Sequence, residues 1–196
     1  EIFSYYRHLR SNLFSDTIIE YETKLTKEVF DLKLLQLSQD KKQSEFENFI
    51  LVTASRIITP NIKPQTGPDG GGDGKVDGET YPVDKAISDK WWVSDGCTGD
   101  QRWAIAISVQ KTWQPKVEND VKKVVETGRG YTKLLFFTNQ KIKSSTRLSK
   151  EDELTRKYGI KVSIFDGSWC SFAVFERGCM DVAVEKLNFS DEYRKK

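Results

Sequence analysis

The chain has 196 residues, of which 37% are hydrophobic and 31% charged, with a formal net charge of +2. That length suits one ordinary domain, and that much apolar residue builds a core, so a disordered chain and a many-domain array are excluded. No apolar run approaches the ~18–20 residues of a membrane span, and no stretch has the pattern of a signal peptide, so no membrane role is expected. The small net charge does not exclude nucleic acid as a partner, because a local basic face matters more than the total.

The cysteines Cys97, Cys170 and Cys179 show no CxxC spacing. A disulfide framework or zinc knuckle is therefore not expected, and a reducing cytoplasm is the expected setting. The chain opens at Glu1, and its single methionine is Met180. We expect it to be part of a longer protein.

Residues 1–58 read as helical. From Asp16 to Leu37, Ile18, Ile19, Leu25, Val29, Leu32 and Leu35 recur at roughly helical spacing. A polar break, Ser38 to Gln43, follows. Ser44 is then a candidate N-cap, with Glu47 completing a capping box. Phe46, Phe49, Ile50, Ala54 and Ile57 form the next apolar stripe, which Pro60 and Pro64 end. This divides the chain into an N-terminal helical extension, 1–43, and a main domain, 44–196.

A glycine-rich loop, Thr66 to Gly74, leads into an expected strand, Lys75 to Val83. A polar insertion carries Trp91 and Trp92. Arg102 to Lys111 is apolar almost to its end, as a central strand covered on both faces should be. An alternation follows: helix Lys116–Glu126 with Val117, Val121, Val124 and Val125 on one face, strand Lys133–Thr138, helix Ser149–Tyr158 capped by Ser149, and strand Lys161–Asp166. Phe172–Glu176 and Val182–Leu187 close the chain as helical pieces. Strands alternating with helices predict an α/β fold, a central mixed sheet with helices on both faces.

The chemistry concentrates in the glycine loop. Asp69, Asp73, Asp77 and Glu79 lie within one short segment, separated mostly by glycine. Glycine permits sharp turns and close approach of an anion, and carboxylates there can hold a hard cation such as Mg²⁺ or Mn²⁺. On an extended strand Asp77 and Glu79 share a face and could serve one metal. A plain solvated turn has the same composition. A Walker phosphate loop is rejected: Gly74-Lys75 is present, but Asp69 stands at the first glycine position and Val76 at the hydroxyl position. An EF-hand fails for want of its terminal glutamate. A metal-dependent nuclease needs acids for the ion and a cation at the attacked phosphate, and the end of the apolar strand, Ser108-Val109-Gln110-Lys111, is placed to contribute.

The run Gly70 to Asp77, the strand Trp103 to Lys111 and the turn Thr138-Asn139-Gln140 occur in this order. Together they resemble the Mrr-type branch of the PD-(D/E)xK, or restriction-endonuclease-like, nucleases. They are most similar to the Mrr-like effector domains of bacterial antiviral STAND ATPases, over about residues 45–170. The resemblance implies Asp77 as principal metal ligand, Asp73 as supporting acid, and Ser108 where most of the superfamily has Glu or Gln. It also implies double-stranded DNA as substrate, and a sensor ATPase in the same chain that activates the nuclease by oligomerising. One position departs: the lysine of that family falls at 110, and this chain has Gln110, with Lys111 adjacent. A neutral amide does not stabilise a developing anion as an ammonium does.

The candidate site is therefore Asp77, Ser108, Gln110 and Lys111 for catalysis, and Asp73, Asp77, Glu79 and Glu47 for the metal. Lys75, Lys116 and Lys122 are candidates for DNA phosphates. Glu47 has a plain reading as a capping acid, and Lys116, Lys122 and Lys123 as a solvated helix face. His8, the single histidine, excludes histidine-rich metal sites. A catalytically silent nucleic-acid-binding or oligomerisation domain is the alternative, and an RNA nuclease on the same fold a third reading.

Overall fold

The computed structural model describes residues 25–65, 76–83, 101–190 and 193. Asp69, Asp73, Lys75, Trp91, Trp92, Cys97 and His8 lie outside them. Five strands form one sheet in chain order: β1 (Ile62–Pro64), β2 (Gly78–Thr80), β3 (Trp103–Ser108), β4 (Lys133–Thr138) and β5 (Lys161–Phe165). β1, β2 and β3 pair antiparallel, and β3, β4 and β5 parallel, so the sheet is mixed, as expected.

The helices are α1 (Lys27–Gln39), α2 (Gln43–Ile57), α3 (Trp113–Glu126), α4 (Ser144–Tyr158), α5 (Gly167–Glu176) and α6 (Met180–Lys186). Strand alternation divides the core. Trp103, Ile105, Ile107, Leu135 and Phe137 face one cluster with α1, α2, α5 and α6. Ala104, Ala106, Leu134, Phe136, Val162 and Ile164 face the other, with Val117, Val121 and Val124 of α3 and Leu154 of α4. α3 and α4 are successive crossovers of parallel strands, and right-handed connections advancing one way across a sheet lie on one face.

Several local expectations need correction. On α1 the buried residues are Phe30, Leu34 and Leu37, while Leu32 and Leu35 are 55% and 57% exposed. The observed stripe is rotated around the helix from the expected one, because Phe30 packs on Phe49 of α2 and Phe175 of α5 and Leu34 and Leu37 join the same core cluster. Thr26 caps this helix, accepting from the Val29 N–H. α2 begins at Gln43 with no side-chain cap, so Ser44 and Glu47 form no capping box. α4 begins at Ser144 rather than Ser149, which lies exposed inside it. Val125 on α3 is exposed. β1 was not expected: its Ile62-Lys63-Pro64 is too short for a pattern, and it exists by pairing with β2. α1 shares the core of the main domain, with Phe30, Leu34 and Leu37 in the same cluster as Ile105 and Ile107.

Two glycines mark close approaches. A Cβ on Gly78 would lie 3.0 Å from Leu51 Cδ2, so glycine lets α2 settle on β2 beside Asp77. A Cβ on Gly167 would lie 2.8 Å from the Asn139 carbonyl oxygen, where α5 starts against the end of β4. Among the described residues no helix is long and apolar enough to cross a membrane.

Candidate functional site at the splayed end of the central strand

β2 and β3 pair only over Gly78–Ile105 and Glu79–Ala104, after which β2 leaves β3. The edge of β3 beyond that point still presents backbone donors and acceptors that need partners. Two side chains supply them. The Asp77 carboxylate accepts the Ile107 N–H at 2.6 Å, continuing the ladder begun by the Asp77 N–H on the Ile105 carbonyl at 2.9 Å. The Gln43 amide donates to the Ile107 carbonyl at 2.8 Å and accepts the Val109 N–H at 3.1 Å.

Gln43 spends its second N–H on Glu47 Oε1, at 2.7 Å. One chain of bonds thus runs Glu47–Gln43–Ile107–Asp77. It carries Glu47, from the far face of the sheet, to where its charge acts on Asp77. Burial pushes the Asp77 carboxyl up to about 6; the Ile107 N–H and Lys116 oppose the rise, and Glu47 and Asp120 add to it. A half-buried carboxylate flanked by further acids attracts a cation.

The carboxylates of Asp77 and Glu79 part. Glu79 is buried and accepts from Arg102 Nε at 2.9 Å, Arg102 Nη2 at 2.6 Å, the Tyr131 hydroxyl at 2.7 Å and Gln65 Nε2 at 2.7 Å. Burial alone would raise its pKa, but the Tyr131 and Arg102 bonds outweigh that and hold it below the ordinary range. The expectation that Glu79 serves the same metal as Asp77 is thus corrected: it closes a structural ion pair at the opposite end of β3.

Ser108 is buried, on the sheet face covered by α3, and its Oγ accepts the Gln110 N–H at 3.1 Å. β3 ends at Ser108, so no strand bulge turns Lys111 inward; Gln110 and Lys111 are both exposed. Lys116 binds Asp120 Oδ1 at 2.7 Å, and both charges act on Asp77. Lys122 points outward, 61% exposed, and pairs with Glu126 at 3.8 Å. The structure thus gathers Asp77, Glu47 and Lys116 near the end of β3 that carries Ser108, and leaves Glu79 and Lys122 out of the group.

Sequence reasoning missed two members. Gln43 had no signal beyond standing in a polar break. Asp120 had one: it falls at helical spacing between Val117 and Val124, inside the apolar stripe, where an unpaired aspartate is rare.

Among the described residues no group of three or more His, Cys, Asp or Glu side chains forms a metal cluster. Mg²⁺ keeps several waters and is commonly held by one or two carboxylates plus substrate phosphate, and the carboxylates of Asp77 and Glu47 are of the hard-oxygen type that such an ion takes.

No protein-family model and no curated protein sequence matches the chain. Among solved structures, the restriction endonuclease FokI bound to DNA aligns with a TM-score of 0.43 at 11% identity, over 93% of this chain and 32% of that one. This chain therefore spans about a third of the length of that protein.

Proposed function

We propose that the chain is a metal-dependent DNA endonuclease domain of the restriction-endonuclease-like fold. The observation that carries this reading is the Asp77 carboxylate, pinned to the Ile107 N–H beside Glu47 where β2 and β3 splay apart. The order of the glycine loop, the Trp103 strand and the Thr-Asn-Gln turn adds the Mrr-like affiliation, and with it a role as the effector of an antiviral sensor ATPase that oligomerises.

Mg²⁺ or Mn²⁺, held by Asp77 and Glu47 with Asp73 as a third candidate, would supply a Lewis acid that activates water and neutralises phosphate. The protein's own residues do the rest. Asp77 is fixed by the β3 backbone and Glu47 by Gln43, so neither carboxylate must reorganise when charge develops. Ser108, at the end of the strand that pins Asp77, would offer a hydroxyl for orienting water. In the hydrolysis, the water oxygen bonds to phosphorus and the ester P–O bond breaks. The proton released by the water passes to solvent, and the departing alkoxide takes one up.

The test is supercoiled plasmid with Mg²⁺ or Mn²⁺, beside an RNA substrate. Nicking that Asp77→Ala abolishes supports the reading, and cleavage of RNA alone moves the substrate class. The exposed neutral Gln110 in the lysine position favours a second reading, a silent DNA-binding or assembly domain. If neither the natural chain nor Gln110→Lys nicks DNA or responds to the cation, that second reading replaces the first.

A further inference from the structure

We propose that Lys116 is the catalytic cation of the Asp77 site, positioned by Asp120, so that the task lost at position 110 is carried by helix α3; this rests on the nuclease reading above. Ala104, Ala106 and Ser108 point to the face that α3 covers, and α3 begins at Trp113, just past the end of β3. Its first turns therefore lie over the strand end that bears Ser108. Lys116 and Asp120 are one turn apart and share a side of the helix.

Asp120 is the unusual residue. It is 4% exposed within a stripe of valines, and its Oδ2 atom has no hydrogen-bond partner among the described residues. A buried carboxylate in an apolar stripe opposes folding unless it holds a cation. Here it holds the Lys116 ammonium at 2.7 Å. Gln110, by contrast, is exposed, and its backbone is tied to Ser108.

The Lys116 side chain is 24% exposed, so its ammonium is partly screened from water yet open to a ligand. Both members of the pair are among the charges that act on Asp77, in keeping with the place of α3 over that strand end. Lys116 would stabilise the negative charge that grows on the phosphoryl oxygens. Asp120 keeps the ammonium aimed without touching substrate.

The experiment compares the natural chain with Lys116→Gln, Lys116→Arg, Asp120→Asn, Gln110→Lys and Asp77→Asn in three measurements. These are plasmid nicking with Mn²⁺, the Mn²⁺-induced rise in melting temperature, and the salt dependence of duplex binding in EDTA. The natural chain should nick DNA, and Lys116→Gln should lose ~100-fold or more, the usual loss for one charge-stabilising group. Lys116→Gln should keep the Mn²⁺-induced rise, and its salt slope in metal-free binding should fall by about one, as for a lost phosphate contact. A residue with a merely structural role would not change that slope. Lys116→Arg should keep the slope and part of the cleavage, and Asp120→Asn should lose cleavage with the slope retained.

A natural chain that is inert while Gln110→Lys cleaves overturns the Lys116 proposal and leaves the nuclease reading standing. So does Lys116→Gln cleaving at the natural rate. Absence of any Mn²⁺-induced rise that Asp77→Asn removes overturns both.

Discussion

Single side chains decide the chemistry at the splayed end of β3. Asp77 takes up a proton more readily in the folded chain than in the unfolded one, since burial lifts it from 3.8 to about 6. The folded state then binds the extra proton between those values, and stability falls as pH rises through that window and stays lower above it. Asp77→Asn keeps an acceptor for the Ile107 N–H but carries no buried charge. It should match the natural protein near pH ~4 and exceed it near pH ~8 by ~2–3 kcal/mol, read from urea melts at both pH values.

Glu79 has the opposite sign. Its depressed pKa stabilises the fold above the ordinary value of 4.5, and that contribution is lost as pH falls through the depressed value. Glu79→Ala leaves Arg102 and Tyr131 without their shared acceptor, and should destabilise by ~2–3 kcal/mol at neutral pH in a denaturant titration. Gln43→Ala frees both the β3 edge and Glu47. We expect ~1–2 kcal/mol lower stability, and a weaker Mn²⁺ effect on melting than in the natural chain.

Elements here are fixed by what they bury and by what ends them. α1 illustrates the first. Leu34 is 2% exposed and Leu35 57%, although they are neighbours in an apolar run. Leu34→Ala should cost ~2–5 kcal/mol and Leu35→Ala less than ~0.5, a contrast that thermal melts resolve directly.

The turn after β4 illustrates the second. Asn139 donates to the Leu34 carbonyl at 2.6 Å and to Ser38 Oγ at 2.8 Å, and Ser38 donates to the Val109 carbonyl at 2.6 Å. The Thr-Asn-Gln turn is therefore a buried amide bridge that ties α1 to the end of β3. Asp166 extends it, capping α5 through the Trp169 N–H at 3.1 Å and holding the Ile142 N–H at 2.9 Å. Gly167→Ala would force a methyl against the Asn139 carbonyl, and should destabilise by ~1–3 kcal/mol with the turn displaced, visible as shifted Asn139 and Gln140 amide resonances.

Across the whole molecule, three regions converge on one point: α2 from one face, β2 along the edge and α3 from the other face. A cation held there links elements on both sides of the sheet. Any ligand that binds the folded state alone raises its stability, by ~2.7 kcal/mol at a hundredfold excess over Kd. Mn²⁺ should therefore raise the melting temperature of the natural chain and leave that of Asp77→Asn unchanged, measured by calorimetry at about pH 8.

The sequence alone determined the α/β class, a central strand within Arg102–Lys111, which the structure ends at Ser108, and the strand Lys133–Thr138. It could do so because hydrophobic period is a property of neighbours along the chain. What it left open was decided by tertiary contact. The phase of the α1 stripe depends on which face meets α5. The parting of Asp77 from Glu79 depends on Arg102 and Tyr131 being at one end of β3 and the Ile107 N–H, which takes the Asp77 carboxylate, being at the other. The companionship of Glu47, Lys116 and Asp120 with Asp77 depends on two helices crossing opposite faces of the same strand. Residues far apart in the chain carry no mutual signal until the sheet places them side by side, and the electrostatics of the site is made of those pairs.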